Sequence, residues 1–333
     1  MENNNYRIDL APLQGHTDAC FRNAHEAIFG GVDTYYTPFV RLEKGNKFRS
    51  RELRDIKEEN NTVTNLVPQI IASTVEEMEA LTQLLIENGY DRIDVNMGCP
   101  FPMLARRHKG SGILAHPEEV KAILDYIKTQ DKVKFSVKMR LGWDDPKECM
   151  ALIDMLNDTP LEHICLHARV GKQQYKGETD LDAFELFYNE CKHPLMYNGD
   201  LLTIDDIQAI KDRFPRLIGV MIGRGLLANP ALAAEFKAGE TMDKTAKKKK
   251  MIRLHSELFE HYSAHLDGGD KQILEKMKPF WSYLTKELEK RTRKKIEKAS
   301  KIANYEAAVG LAFSQWGKVI VVDHDQDDDE AIY

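Results

Sequence analysis

A thiol in a tight turn is the group in this sequence best placed to do chemistry. Cys99 lies within Asn96-Met97-Gly98-Cys99-Pro100, directly after an apolar run that is typical of a β-strand. A thiol there can donate a proton or act as a nucleophile. A lone cysteine is more often a small buried hydrophobe, but the position after a strand favours a chemical role. The other cysteines are interpreted as such hydrophobes: Cys20, Cys149, Cys165 and Cys191.

Further polar groups follow other apolar runs. Lys138 closes the run Val133–Met139, where an ammonium would suit an anionic ligand. His167 and Arg169 are two residues apart on a predicted strand and therefore share one face, which suits a phosphate or a carbonyl-rich base. A hydrogen-bonded structural histidine is the alternative. Tyr175 lies in a polar loop, where it would stack on a base or simply cover the site.

Short β-rich runs that alternate with amphipathic helical patterns must position these groups. Helices are predicted at 76–88, 117–129 and 204–213 from apolar spacing and helix-starting residues. Eight strand–helix repeats over about 240 residues predict an α/β fold of the (β/α)8 TIM-barrel type. A doubly wound open sheet is the alternative, because periodicity cannot show that a sheet closes. The predicted strands lie near 7–12, 33–39, 66–72, 91–97, 133–139, 161–167, 194–198 and 217–222.

Polar or small residues stand at nearly every predicted strand end. In such a barrel the carboxyl ends of the strands form one face, which carries the active site, so the sequence predicts a single convergent site. Gly199 and Gly223 would let backbone N–H groups approach a phosphate, and Arg224 would add charge-assisted hydrogen bonds. For each glycine a simple turn is the alternative. The strand-end residues are Ala11, Pro12, Leu13, Gln69, Asn96, Lys138, Arg140, His167, Asn198, Gly199, Asp200, Gly223 and Arg224.

The net charge of −6 conceals a basic segment near the end of the chain. Residues 241–301 carry 17 Lys and Arg against 9 Asp and Glu, a local charge of +8, and the rest of the chain carries −14. This segment lacks strand patterns and predicts a small antiparallel helical domain. Clustered cations indicate phosphate-backbone binding, and a solvated helix face with salt pairs is the alternative. The predicted divisions are a barrel at 1–240, a basic helical domain at 241–316 and an acidic tail at 317–333.

Composition excludes several classes of protein. No apolar run approaches the roughly 20 residues that a membrane span needs, and the first residues lack the pattern of a signal peptide. An odd number of cysteines without a CxxC pair argues against a disulfide framework or a structural zinc site. We therefore expect a cytoplasmic protein without a metal site, a membrane association or a stable protein partner, and a monomer.

Taken together, the strand-end motifs resemble those of the tRNA-dihydrouridine synthase family. The resemblance runs in the family's order over about residues 6–235, and the basic helical segment matches the family's C-terminal tRNA-binding domain. Met277–Leu284 is most similar to the bacterial subfamily that modifies position 16 of the D-loop. The matching motifs are Ala11-Pro12-Leu13, Gln69, Asn96-Met97-Gly98-Cys99-Pro100, Val137-Lys138-Met139-Arg140-Leu141-Gly142, His167-Ala168-Arg169 with Tyr175, Asn198-Gly199-Asp200 and Met221-Ile222-Gly223-Arg224-Gly225.

The resemblance implies an FMN cofactor across the barrel mouth and a tRNA substrate. Cys99 would be the general acid, and Lys138 would lie by the N1–O2 edge of the flavin with His167 nearby. The isoalloxazine would contact Ala11, Pro12 and Leu13, with Gln69 at its polar edge. The ribityl phosphate would be held by Asn198, Gly199, Asp200, Gly223 and Arg224. The uracil would be positioned by Asn96, Arg140, Arg169 and Tyr175.

The implied reaction is the reduction of the C5–C6 double bond of a uridine, with NADPH or NADH as reductant. Two other functions stay open: a flavin barrel that reduces a free small molecule, and a non-catalytic tRNA-binding protein. The sequence departs from the family at Phe101-Pro102, where Ser-Lys is common, and Arg106–Gly110 is unusually basic. The first departure bears on the conformation of the Cys99 turn.

Overall fold

The computed structural model describes residues 6–45, 47–284 and 288–317. From position 318 onward the predicted acidic tail lies outside these residues. No helix within the described ranges is long and apolar enough to cross a membrane.

One parallel sheet contains all the named strands of the described ranges. These strands are β1 (Arg7–Leu10), β2 (Thr34–Tyr36), β3 (Leu66–Val67), β4 (Gln69–Ile70), β5 (Arg92–Met97), β6 (Lys134–Gly142), β7 (Leu161–Val170), β8 (Leu195–Asn198) and β9 (Gly219–Ile222). Their order is β3-β2-β1-β9-β8-β7-β6-β5-β4, and every neighbouring pair is parallel. All eight predicted strands are therefore present, with the third in two pieces.

The sheet closes on itself at Pro68. The two ends of the sheet order, β3 and β4, are consecutive pieces of one stretch that only Pro68 separates. Proline has no N–H to donate to a ladder, so β3 pairs with β2 while β4 pairs with β5. The Pro68 carbonyl still accepts a hydrogen bond from the Asp94 N–H at 2.9 Å. Counted through Pro68, the sheet is a closed barrel of eight strands, as predicted, and the open-sheet alternative is wrong.

Helices surround this barrel, and the three predicted helices lie within one residue of their expected bounds. Their caps explain their starts: the Thr203 hydroxyl and the Asp206 carboxylate form a capping box, and Pro117 opens its helix at the first turn. The helices are α1 (Ala19–Ile28), α2 (Ser50–Ile56), α3 (Val75–Glu87), α4 (Pro102–Ala105), α5 (Pro117–Lys128), α6 (Glu148–Ala151), α7 (Ile153–Asn157), α8 (Leu181–Glu190), α9 (Ile204–Arg213), α10 (Arg224–Ala228) and α11 (Leu232–Ala238), with 3-10 helices at Glu58–Asn60, Gly110–Ala115 and Gly171–Gln173.

The segment after Gly239 is helical, as predicted. It contains α12 (Lys244–His265), α13 (Gly269–Ser282), α14 (Lys290–Lys298) and α15 (Ile302–Gln315). Its core is built around the Tyr305 hydroxyl, which accepts from the Trp281 indole N–H at 2.9 Å and forms a hydrogen bond with His255 Nε2 at 2.8 Å. The buried polar groups of this small core are thus paired with each other.

A half-buried carboxylate joins the helical segment to the barrel. Asp18, the N-cap of α1, accepts from the Tyr262 hydroxyl at 2.8 Å and from Lys276 Nζ at 2.7 Å. Two lysines of the Lys247–Lys250 run also contact the barrel: Lys247 pairs with Glu235 at 2.6 Å, and Lys250 donates to the Ile28 carbonyl at 2.6 Å. These two lysines therefore have the structural role that the salt-pair alternative describes. The division of the chain at residue 240 stays a prediction.

Buried histidines make folding sensitive to acid. Burial lowers the pKa of His25 to about 4, of His163 to about 3 and of His255 to about 4. Burial and nearby cations hold the pKa of His167 well below its ordinary value. The folded protein therefore keeps these imidazoles neutral at a pH where the unfolded chain binds protons.

We expect the free energy of unfolding to fall as the pH decreases from about 7 to 5. Each of these histidines lowers the stability by about 2 kcal/mol over that interval, because only the unfolded state is protonated. Burial raises the pKa of Asp9 and of Asp94 to about 6, so proton uptake by the folded state offsets part of this loss. Urea unfolding at pH 7, 6 and 5 measures the balance.

The variant His255→Gln isolates one of these groups. The glutamine amide can donate to or accept from the Tyr305 hydroxyl, but it does not titrate. Unfolding of the variant should therefore take up about one proton fewer between pH 5 and 6 than unfolding of the parent protein, so its free energy of unfolding should depend less steeply on pH. A parallel pH dependence of the variant and the parent protein would contradict the assignment.

Candidate functional site

The carboxyl ends of the strands form the barrel mouth, where most predicted site residues come together. The register pairs Asn96 of β5 with Lys138 of β6. It pairs Arg140 of β6 with His167 of β7, and His167 with Asn198 of β8. Lys138 Nζ donates to Asn198 Oδ1 at 2.9 Å across two strands. The sheet register alone therefore assembles the centre of the site.

A directional chain of hydrogen bonds begins below the mouth at Asp94. This wholly buried carboxylate accepts from the Ser136 hydroxyl at 2.6 Å and from Gln69 Nε2 at 2.7 Å. Because an ionised carboxylate only accepts, it fixes the Gln69 amide with its oxygen towards Asn96, whose Nδ2 donates to that oxygen at 2.7 Å. Asn96 Oδ1 is then aimed at the backbone N–H of Cys99, at 2.8 Å. The carboxylate thus sets the orientation of both amides and of the turn.

Other bonds hold the Cys99 turn from the opposite side. The Cys99 carbonyl accepts from both the N–H and the hydroxyl of Ser111, each at 3.0 Å. Arg140 Nε donates to the Gly98 carbonyl at 3.0 Å. A glycine is needed at Gly110, where φ is +61° and a Cβ would lie 2.5 Å from the Cys99 carbonyl oxygen. The backbone of the turn is therefore fixed on both sides.

The departure at Phe101-Pro102 does not disturb this arrangement. The bonds that hold the turn are made by the backbone of the Gly98-Cys99 dipeptide, so the side chains at 101 and 102 take no part in them. Pro102 occupies the first turn of α4, where its missing N–H costs nothing. The Cys99 turn is compatible with the unusual sequence that follows it.

The thiol of Cys99 stays protonated. Burial raises its pKa above the ordinary value, and this effect exceeds the opposing influence of a backbone hydrogen bond and of Arg140 and Lys138. Such a group is a proton donor and a poor thiolate nucleophile at neutral pH.

Lys138 and His167 supply different chemistry at the mouth. Burial lowers the pKa of Lys138 despite acidic neighbours, so its ammonium lies in a poorly hydrated site where an anion would stabilise it. Burial, followed by the charges of Arg140, Lys138, Arg169 and Arg224, holds the pKa of His167 far below its usual range. The imidazole is therefore neutral and can both donate and accept.

Asp200 bridges two arginines at the edge of the mouth. It pairs with Arg169 through both oxygens and accepts from Arg224 at 2.6 Å. Burial alone would raise its pKa, but the bond to Arg169 and both arginine charges bring the pKa below its usual value. Arg169 also donates to the Gly177 carbonyl at 2.5 Å. Because a carboxylate repels a phosphate, Asp200 is not suited to bind one directly. Its bonds suit it to orient the two arginines.

Tyr175 lies between two guanidinium groups. Its ring centroid is 5.4 Å from Arg140 Cζ and 4.7 Å from Arg224 Cζ, and 6.4 Å from the ring of His167. Cation–π attraction holds the ring there. The polar loop thus places Tyr175 at the mouth, a position that both sequence alternatives, stacking on a base and covering the site, require.

Small residues line the other side of the mouth. A Cβ on Gly223 would lie 3.4 Å from both Ala11 Cβ and Leu13 Cδ1, so the ends of β1 and β9 are in contact. Pro12 is half-buried beside them. Gly199 has a φ of +150°, and a Cβ there would lie 2.7 Å from the Tyr197 hydroxyl. A side chain is therefore disfavoured at Gly199, whereas a Cβ at Gly223 would make only ordinary van der Waals contact.

Sequence reasoning missed Asp94 and Ser136, the groups beneath the mouth. Both lie inside largely apolar strands, where an acid is almost never fully buried unless it is paired. An acid at this position was therefore a signal in the sequence, but the sequence did not show which residues pair with it. Gln69 was assigned to a cofactor edge, and it is wholly buried within the chain of hydrogen bonds.

One group in the described ranges offers three potential metal ligands. These are His108, His116 and Glu119, whose ligand atoms lie within 4.8 Å of one another. The two imidazole rings stack at 3.5 Å between centroids, and His108 Nδ1 lies 2.7 Å from a Glu119 oxygen. Stacked rings aim their in-plane lone pairs in parallel, so they do not converge on one ion.

A basic cleft of about 570 Å³ opens between α14 and α15. Four exposed cations line it, and none of them forms an ion pair with another described residue. This lack of acidic partners favours an external anion over a self-neutralised face. The cations are Arg291, Lys294, Lys295 and Lys298.

Comparison with known proteins is consistent with this geometry. A family model described as dihydrouridine synthase (Dus) matches residues 9–314. tRNA-dihydrouridine synthase B of Vibrio parahaemolyticus is 28% identical over 280 residues, which cover 80% of this chain and 85% of that protein. tRNA-dihydrouridine(16) synthase of Neisseria meningitidis is 29% identical over 244 residues, covering 70% and 72%. These identities are nearly equal, and the assignment to position 16 stays a prediction.

A solved structure shares the fold at lower similarity. Morphinone reductase superposes with a TM-score of 0.51 at 14% identity, covering 72% of this chain and 88% of that protein. At this identity the likeness concerns the barrel fold alone.

The hydrogen-bond chain yields a test that needs no substrate. In Gln69→Leu, the Asp94 carboxylate and the Asn96 amide no longer have their shared partner. We expect the free energy of unfolding to fall by about 1–3 kcal/mol, and the Cys99 thiol to be alkylated faster because its turn is held less firmly. Urea unfolding and mass spectrometry after iodoacetamide treatment measure both effects.

Asp94→Asn is the matched control. The Ser136 hydroxyl can rotate to accept from the new amide, so the asparagine oxygen can still face Gln69 and preserve the direction of the chain. Alkylation of Cys99 should therefore stay near the parent rate in this variant. Equal alkylation rates in Gln69→Leu and the parent protein would show that the chain does not hold the turn.

Proposed function

Because the chain belongs to the dihydrouridine synthase family, we propose that it reduces the C5–C6 double bond of a uridine in tRNA, with FMN as cofactor and NADPH or NADH as reductant. The observation that carries this proposal is the Cys99 thiol, kept protonated and held in a fixed turn at the mouth that Lys138 and His167 share. We further propose that the enzyme acts in the cytoplasm as a monomer.

The chemistry of the mouth fits FMN. Lys138 offers a poorly hydrated ammonium to an anionic ring edge, and the neutral His167 beside it can hydrogen-bond a carbonyl. Arg169 Nε is buried and has no hydrogen-bond partner among the described residues. With Arg224 it would serve a phosphate, and Asp200 would hold both arginines in position.

The apolar wall of the mouth fits the flat face of the ring system. Ala11 and Leu13 both lie close to Gly223, with Pro12 between them in the chain, and their side chains offer no group that needs a polar partner. Gly199 and Asn198 would line the ribityl chain. Gln69 would act on the cofactor edge chiefly through Asn96, since it is itself buried.

The uridine would be held by donors on the opposite side of the mouth. Asn96 is fixed in orientation by the chain from Asp94, and Arg140 is fixed by the Gly98 and Val170 carbonyls at 3.0 and 2.8 Å. Burial lowers the pKa of Arg140 to about 10, which leaves it charged at neutral pH. Both groups suit the uracil carbonyls, where negative charge develops during the reduction.

Reduced FMN, held at the mouth by these residues, would supply the hydride for C6 of the uracil. Cys99 would give its proton to C5, so that two hydrogens add across the double bond. The raised pKa of Cys99 keeps that proton available. The uridine must leave its stack to reach the mouth, and Tyr175, held between its two arginines, is suited to stack on it.

Replacement of Cys99 by alanine tests the proton donor. We expect Cys99→Ala to bind FMN and accept electrons from NADPH at the parent rate, but to be reoxidised by unmodified tRNA at least about 100-fold more slowly, as expected when a general acid is removed. Stopped-flow flavin absorbance measures both half-reactions. The control is Cys191→Ala, since Cys191 precedes β8 and lies at the other end of the barrel; turnover of Cys99→Ala at the parent rate would refute the assignment.

The basic cleft tests recognition of the RNA backbone. Changing Arg291, Lys294, Lys295 and Lys298 to glutamine should weaken tRNA binding and reduce the slope of log affinity against log salt by about one for each phosphate that the protein no longer neutralises. Lys132→Gln with Lys134→Gln is the control, because these residues precede or begin β6 at the far end of the barrel. An unchanged affinity and slope in the cleft variant would make the cleft a solvated face.

A further inference from the structure

Two large apolar side chains stand in solvent beside Cys99. Phe101 is 42% exposed and Met103 is 62% exposed. The described residues contain three other exposed large hydrophobic side chains, Leu186, Leu202 and Ile252, so two of the five lie within three positions of each other. Adjacent exposed apolar side chains, especially beside polar residues, are a feature of interaction surfaces.

The fold holds these side chains outward. Leu104 and Ala105 of α4 are buried, and Leu104 packs with Phe39, Ile71 and Cys99. The turn is closed by a hydrogen bond from the Leu104 N–H to the Phe101 carbonyl at 2.9 Å. Because the inward side of this short helix is anchored, its neighbours at 101 and 103 must face solvent.

Two arginines follow directly. Arg106 and Arg107 are exposed, and within the described ranges neither forms an ion pair. The next two residues differ: His108 lies 2.7 Å from Glu119, and Lys109 is buried and pairs with Glu77 at 2.5 Å. The basic loop is thus divided into a paired half that supports the fold and an unpaired half that faces outward.

We propose that Phe101 and Met103 form a stacking platform for a nucleotide next to the target uridine, and that Arg106 and Arg107 contact its phosphates. Aromatic surfaces beside cations are the usual means of binding unstacked RNA. Phe101 is two residues from Cys99, so nucleotides that flank a uridine at the mouth pass over this platform. The proposal rests on the proposed function and adds a second RNA contact, on the barrel, to the cleft between α14 and α15.

The test compares the parent holoenzyme with a double variant that carries both Phe101→Ala and Met103→Ala. Removal of one stacked base should weaken tRNA binding about 5- to 100-fold and lower kcat/KM for tRNA similarly, with flavin reduction by NADPH unchanged. Phe101→Trp in the Met103→Ala background should recover most of the affinity, since it restores the ring face. Leu186→Ala, an equally exposed residue on α8, should match the parent protein.

Two further measurements separate the failure of this proposal from that of the proposed function. Arg106→Gln with Arg107→Gln should reduce the salt slope of tRNA binding by about two. If the parent protein formed no dihydrouridine, the proposed function would fail, and binding of tRNA by fluorescence anisotropy would still decide the platform. Equal tRNA affinity of the double alanine variant and the parent protein would overturn the platform. The same conclusion would hold if sedimentation showed that the variant had lost self-association while its tRNA affinity was unchanged.

Discussion

The site depends on one hydrogen-bond acceptor, the Asp94 oxygen that faces Gln69, placed below the mouth of a closed barrel. Two neighbouring amides can each point either way, and a buried carboxylate removes that freedom because it cannot donate. Gln69 and Asn96 therefore adopt one orientation each, and the Cys99 turn receives an acceptor at its N–H. A proton donor that must meet one carbon of a ring needs this kind of fixed support.

The environment of the mouth keeps His167 and the Cys99 thiol uncharged, although several cationic side chains surround them. Lys138, Arg140, Arg169 and Arg224 converge there, and the only carboxylate they meet at its edge is Asp200, within the described part of the chain. Burial, reinforced by this excess of positive charge, keeps His167 neutral, and burial keeps the Cys99 thiol protonated. The same charge attracts an anionic cofactor and an RNA backbone, so one arrangement serves both ligands.

Sequence reasoning predicted the barrel because each strand is a continuous apolar run with a polar end. It could not show closure, because periodicity carries no information about which strands pair; in the structure β3 pairs with β2 and β4 pairs with β5 on either side of Pro68. It placed Cys99, Lys138 and His167 at one face of the barrel from their positions at or just after the carboxyl ends of predicted strands, since the register of a parallel barrel brings such ends together. It missed Asp94 and the bridging role of Asp200, because partner identity depends on distances between strands that lie far apart in sequence.

The central claim is that this mouth reduces a uridine in tRNA. The most direct measurement is to reduce the FMN-loaded protein anaerobically with NADPH, add tRNA that carries no modifications, and follow the flavin absorbance. The account predicts rapid reoxidation by this tRNA and not by tRNA that is already modified. A protein that stays reduced with unmodified tRNA but is reoxidised by free uracil or an enone would contradict it.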